Sequence, residues 1–218
     1  MSDGHYYHAL IDGDWSLDDL YEFPHSYAQN YAFVYCFDSN LSPRDRERID
    51  LALEGYPWKG GYSYVNIYTV LQNQVPSNDK PRIKSISKSS PGWIDLFLNV
   101  DVAIDVAKAV ATLSGAGAAA AIAYKQISKA LTDININRKR GRLQELQIAA
   151  AEAKTITSMC SDLAKFLGFK NLKELHQHTG NPEVTLKLLL AHYRRISVLV
   201  EYMHDGKLML PLENHVTK

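Results

Sequence analysis

The sequence predicts an α+β fold, predominantly helical, in which a small antiparallel sheet with short helices is followed by a long-helix hairpin or bundle. Three observations carry this expectation. Short, alternating, β-prone runs (HYYHALI, RIKSISK, WIDLFL) lie before residue 100. Beyond that point the apolar spacing turns helical. Start signals such as Ser16, Ser42-Pro43 and Asn181-Pro182 stand ahead of the helical runs. A chain of 218 residues is long enough for one domain with its own core, or one domain with an appendage. The two parts, 1–99 (aromatic-rich, with the sheet) and 100–218 (long helices), form either one core or two.

Taken in order, residues 5–11 read as a strand closed by the turn Asp12-Gly13-Asp14. Ser16 and Asp19 open a helix that Pro24 is expected to end or kink. HSYAQNYAFVYCF fits both periods: Tyr27, Tyr31 and Tyr35 recur every four residues, whereas Tyr31, Phe33, Tyr35 and Phe37 alternate. Helix is the preferred reading. SPRDRERIDLALEG carries a cap, an N1 proline, an apolar edge at Ile49 and Leu53, and a terminating Gly55. YPWKGG is a loop and residues 62–75 a further helix. Strands near 82–88 and 93–98 flank an SSPG turn, with Ile94, Leu96 and Leu98 alternating against Trp93, Asp95 and Phe97. The stretch PRIKSISKSSPGWIDLFL is similar in pattern to bacterial proteins that place a strand, a Ser-Pro-Gly turn and a second strand ahead of a helix. It covers less than a tenth of the chain and implies no activity.

Residues 100–132 are expected to be helical, with Asp101, Asp105, Lys108 and Thr112 as one polar stripe and Gly115 and Gly117 as points of interruption. TDININ and RKRGR form a polar joint. A helix over 142–167 carries a seam of Leu143, Leu146, Ala150, Ala153, Thr157, Cys160, Ala164 and Leu167 at heptad spacing. The last long helix runs from Pro182 to about His204, and KLMLPL adds a short strand.

Composition narrows the function classes. Two distant cysteines exclude a disulfide scaffold and any cysteine-rich metal site. The amino terminus MSDGHYYHALIDGDW has neither a basic region nor a long apolar run, so no signal peptide and a cytoplasmic location are expected. No Gly-x-Ser-x-Gly, P-loop, Rossmann or His-Glu-x-x-His pattern occurs, and no cofactor is expected. His176, His178, His192, Glu201 and His204 lack the paired spacing of a metal site. Cys36 and Cys160 read as small buried hydrophobes.

Charge is segregated. Residues 1–55 hold eleven acids against three bases, which leaves 21 bases against 13 acids for the remainder. The acidic Asp12, Asp14, Asp18 and Asp19, the basic joint Arg138, Lys139, Arg140 and Arg142, and the aromatics Trp58 and Tyr62 are therefore the candidate contact residues. The leading expectation is a non-enzymatic interaction and assembly module. It would self-associate through its acidic first part and basic joint, or bind another protein. The alternative is a membrane-associated effector using the Ala/Gly-rich helix 100–124. Its sixteen uncharged residues between Lys108 and Lys125 fall short of the roughly 20 that span a bilayer. An enzyme of unknown class is a further alternative. Nucleic acid is disfavoured by the balanced charge and the absence of RRM, KH and C2H2 signatures.

Overall fold

A computed structural model describes residues 6–38, 41–54, 67–89, 91–139 and 182–213, together with Ser158, Ser161, 163–167 and Leu175. The expected first strand is β1 (Tyr6–Ile11). Its alternate residues Tyr7, Ala9 and Ile11 are buried, so Tyr6, His8 and Leu10 face the other way.

Helix α1 (Leu17–Cys36) starts in a capping box. The Ser16 hydroxyl accepts from the Asp19 backbone N–H at 3.1 Å, and Asp19 Oδ2 accepts from the Ser16 N–H at 2.8 Å. Of the two outcomes expected at Pro24, an end or a kink, the structure excludes the end: Pro24 lies inside the helix. A helical proline costs about 3 kcal/mol. Burying a large apolar side chain returns roughly 1.5–3 kcal/mol, and Phe23, Tyr27, Tyr31 and Phe33 are all buried on either side of Pro24. Packing wins over propensity here. The tyrosine spacing that favoured helix is the correct period.

Helix α2 (Pro43–Glu54) is capped by Ser42, whose hydroxyl accepts from the Asp45 N–H at 3.1 Å, and it buries Ile49 and Leu53. Helix α3 (Ile67–Gln74) occupies the second part of the expected helix 62–75; residues 62–66 lie outside the described residues. Strands β2 (Arg82–Ser87) and β3 (Gly92–Phe97) form the expected hairpin. A Cβ at Gly92 would stand 2.4 Å from the Ser87 carbonyl oxygen, so only glycine permits this close approach.

Helix α4 (Val100–Lys139) is capped by Asn99, whose side-chain oxygen accepts from Asp101 N–H at 3.1 Å. Its polar stripe Asp101, Asp105, Lys108 and Thr112 is exposed, as expected. The interruption falls at Gly117 (φ 46°, ψ −120°), while Gly115 stays helical. TDININ is not a joint: the helix continues through it to Lys139. Once a helix is formed, each further residue adds a hydrogen bond, which outweighs the small penalties of asparagine and isoleucine.

Of the expected helix 142–167, residues 163–166 are helical, and Leu163, Ala164 and Leu167 are buried. Its seam residues Leu143 to Cys160 lie outside the described residues. Helix α5 (Pro182–His204) packs on α4 and α1, and β4 (Leu208–Met209) follows it.

The four strands form one antiparallel sheet in the order β2-β3-β1-β4, so the fold is α+β and mainly helical. The last strand of the chain thus closes against the first. One buried cluster runs from Tyr7 and Ile94 on the sheet through Phe33 on α1 and Val106 on α4 to Leu189 on α5. The helices bury the inward side of β1 and β3, while Ile83 and Ile86 on the same side of edge strand β2 stay 44% and 48% exposed; the other face carries the candidate surface.

Candidate functional site

Strand register places the outward side chains of this sheet in three rows. In the first, Leu10 stands opposite Trp93 on one side and Met209 on the other. Trp93 is 39% and Met209 62% exposed. In the middle row His8 faces Asp95, which faces Ser85. In the third row Tyr6 faces Phe97, which faces Arg82. The Tyr6 and Phe97 rings meet edge-on at 5.6 Å, and the Arg82 guanidinium sits 4.8 Å from the Phe97 centroid. Lys84 lies 5.3 Å from the same centroid, at the register shift between Ile83 and Ser85.

The middle row has the residue types of a catalytic triad in the wrong order. Asp95 Oδ2 accepts a hydrogen bond from the Ser85 hydroxyl, and its Oδ1 lies 2.5 Å from His8 Nδ1. Serine therefore donates to the carboxylate, with no bond to an imidazole that would remove its proton. This cluster fixes side chains across three strands; it does not activate a nucleophile.

The acidic candidates sit at the Leu10 end of the sheet and serve several purposes. Asp12 shapes the turn: its carboxylate accepts from Gly13 N–H at 2.8 Å and its carbonyl from Trp15 Nε1 at 3.1 Å. Asp14 is fully exposed and lies 3.9 Å from Lys88. Asp18 is exposed in the first turn of α1, where a negative charge suits the helix dipole. Asp19 also binds Lys207 Nζ at 3.0 Å and accepts from the Tyr202 hydroxyl at 3.1 Å. The Ser16 backbone N–H, then Lys207, hold its carboxyl well below the usual carboxylate range. Asp19 thus ties the start of α1 to the end of α5 and the approach to β4.

Arg138 and Lys139 lie on the last turn of α4. Arg140, Arg142, Trp58 and Tyr62 lie outside the described residues. Cys36 is buried, and burial pushes its thiol up to about 12, which leaves it unreactive. His192 is buried flat against Phe33, with ring centroids 3.9 Å apart, and burial lowers its pKa to about 3. His204 is exposed and hydrogen-bonded to Ser114 at 2.9 Å. Among the described residues no group of three or more His, Cys, Asp or Glu could hold a metal ion. An open groove of about 380 Å³ lies along α2 between Pro43, Arg46 and Leu51.

The Ala/Gly run is less covered than a core helix. Val100–Asp133 is long and apolar enough to cross a membrane, and 33% of its most apolar window is buried. Core helices share this length and composition. Ala118, Ala119 and Ile122 are exposed just past the Gly117 interruption.

Sequence reasoning placed Trp93, Asp95 and Phe97 together on one side of a strand but assigned them no role. It missed Tyr6, His8, Leu10 and Met209 altogether. The usable signal was the alternation in HYYHALI, but pairing it with residues 92–97 and 208–209 needs the register. Comparison with known proteins finds no family model that matches the chain, no matching curated protein and no matching solved structure.

Proposed function

We propose that this protein is a non-enzymatic interaction and assembly module of the cytoplasm, and that the outer face of its sheet is the contact surface. The observation that carries this reading is the row Trp93–Leu10–Met209 on the outer face, in which half-buried Leu10 stands opposite Trp93 on one side and Met209 on the other, with Ser87 opposite Trp93 at the edge. A sheet with one solvated face ordinarily alternates polar residues there. A partly exposed tryptophan and methionine on either side of a leucine suit a contact surface, where aromatic residues and methionine are enriched. Placing the contact on the sheet moves it away from the basic joint favoured by charge counting.

A photo-crosslinking amino acid at Trp93 or Met209, introduced in cells, tests the reading. Protein adducts are expected there and absent from a control at Asp105 on the exposed stripe of α4. Equal yields at all three positions, or none, would contradict it.

A membrane-associated role is the second reading. It rests on the apolar helix Val100–Asp133, of whose most apolar window only 33% is buried. Flotation with anionic liposomes tests it: this reading requires co-migration that Ile122→Asp abolishes, whereas protein left at the bottom of the gradient rejects it.

A further inference from the structure

We propose that the outer edge of β2 receives a fifth strand, an extended acidic segment of a partner protein whose alternate residues are apolar. This site is separate from the Trp93–Leu10–Met209 row and goes beyond the reading of that row as a contact surface. β2 stands at the end of the sheet, with β3 on one side and, among the described residues, no strand on the other. Alternate backbone N–H and C=O groups of an edge strand point away from the sheet and pair with an extended chain laid alongside. The opposite edge strand, β4, offers two residues; β2 offers six.

Lysines and a bulge are usual means of keeping an edge unpaired, and both are present here. Exposed isoleucines are not. Ile83 faces Leu96 and Ile86 faces Ile94, so both isoleucines lie on the inward side although they are three positions apart. The register shift between Ile83 and Ser85 brings this about, since residues three apart in a regular strand point to opposite faces. Among the described elements β2 packs against β3, and no helix buries its isoleucines. They extend the layer of Ile94 and Leu96 to where an added strand can cover them.

Charge selects the occupant. Lys80, Arg82, Lys84 and Lys88 follow one another with no acid between them, and all are exposed. Arg82 and Lys84 lie over the Phe97 ring. The only ion pair that any of these bases forms among the described residues joins Lys88 to the fully exposed Asp14, at 3.9 Å. Neighbouring acids are engaged elsewhere: Asp95 holds Ser85 and His8, and Asp79 lies within electrostatic reach of Tyr31 and Tyr35 on α1. A second copy paired through the same edge doubles the run of bases on one seam and is disfavoured. A lipid surface meets the bases but leaves the backbone groups of the edge without partners. An acidic extended chain satisfies bases, backbone and isoleucines together.

Six residues of edge bury well below the roughly 1,200 Å² of a stable complex, so binding is weak and the probe is used at millimolar concentration. The probe is a short synthetic peptide alternating glutamate with valine, and the readout is amide hydrogen exchange over residues 80–89. Exchange there should slow about tenfold or more. The same peptide N-methylated along its backbone, or with lysine in place of glutamate, should leave it unchanged. Arg82→Glu/Lys84→Glu should reverse the charge preference, losing the glutamate peptide and gaining the lysine one. If that variant melts early by circular dichroism, Lys80→Glu/Lys88→Glu, which flanks the strand, replaces it. No slowing with the glutamate peptide, equal slowing with the N-methylated one, or an unchanged preference in the variants overturns the proposal. So does protection of β2 by self-association of the protein alone, or by anionic liposomes but not by peptide. Such a failure leaves the outer-face reading intact, because cross-linking at Trp93 probes a different surface.

Discussion

The two faces of the sheet are made by the same strands and have opposite fates. Tyr7, Ala9, Ile11, Ile94 and Leu96 point inward and are essentially solvent-free; their immediate neighbours Tyr6, His8, Leu10, Trp93 and Asp95 point outward and keep contact with water. Inward residues are held by helices α1, α4 and α5, so their chemistry is constrained by packing. Among the described residues the outward side chains face one another, Leu10 against Trp93, His8 against Asp95 and Tyr6 against Phe97. Stability leaves the outer residues largely unconstrained, and an apolar row there is therefore better explained by binding than by folding.

The contrast can be broken most sharply within one dipeptide. Ile94→Ala, at 0% exposure, should cost about 2–5 kcal/mol in urea unfolding. Trp93→Ser, one residue earlier, should cost about 1 kcal/mol or less while weakening association. Similar losses from the two would erase the distinction between the faces.

A buried histidine gives the next largest effect. His192, buried against Phe33, has its pKa lowered to about 3, so the unfolded chain binds a proton that the folded chain refuses between about 6.5 and 3. Stability should therefore fall as pH drops below about 6.5, by up to about 1.4 kcal/mol per pH unit. His192→Leu should flatten that slope in melts at pH 7, 6 and 5.

Capping of α1 lies between the extremes. Ser16→Ala removes the hydroxyl that accepts from Asp19 N–H and should cost about 1 kcal/mol. The carboxyl of Asp19 has its pKa depressed by Ser16 and Lys207, so its contribution is present at neutral pH and is lost as pH falls below the normal carboxylate range. Smallest of all is Asp95→Asn. Its bonds to Ser85 and to half-exposed His8 lie at the surface, so the midpoint should move by the equivalent of about 1 kcal/mol or less.

Much of the fold was legible because the local signals were strong. Alternation located the three main strands, Ser42-Pro43 and Pro182 marked helix starts, and Gly117 interrupts the helix where glycine was suspected. Pro24 and TDININ misled for one reason: each is a local breaker that an already packed or already formed helix overrides. The outer surface was illegible for a different reason. Leu10, Trp93 and Met209 are scattered across 200 positions and meet only through register, which no local pattern encodes. Charge counting found the asymmetry but not its geometry, since Asp19 is spent on Lys207 and Tyr202 rather than on the basic joint.

The most direct test of the central claim is the indole N–H resonance of Trp93, followed by NMR as the protein is diluted. Trp15 is the internal control, because its ring is packed on Phe23 and Tyr202. An outer face that serves in assembly predicts that the Trp93 signal moves with concentration and that of Trp15 stays fixed. A Trp93 signal that does not move across the whole range would contradict the account.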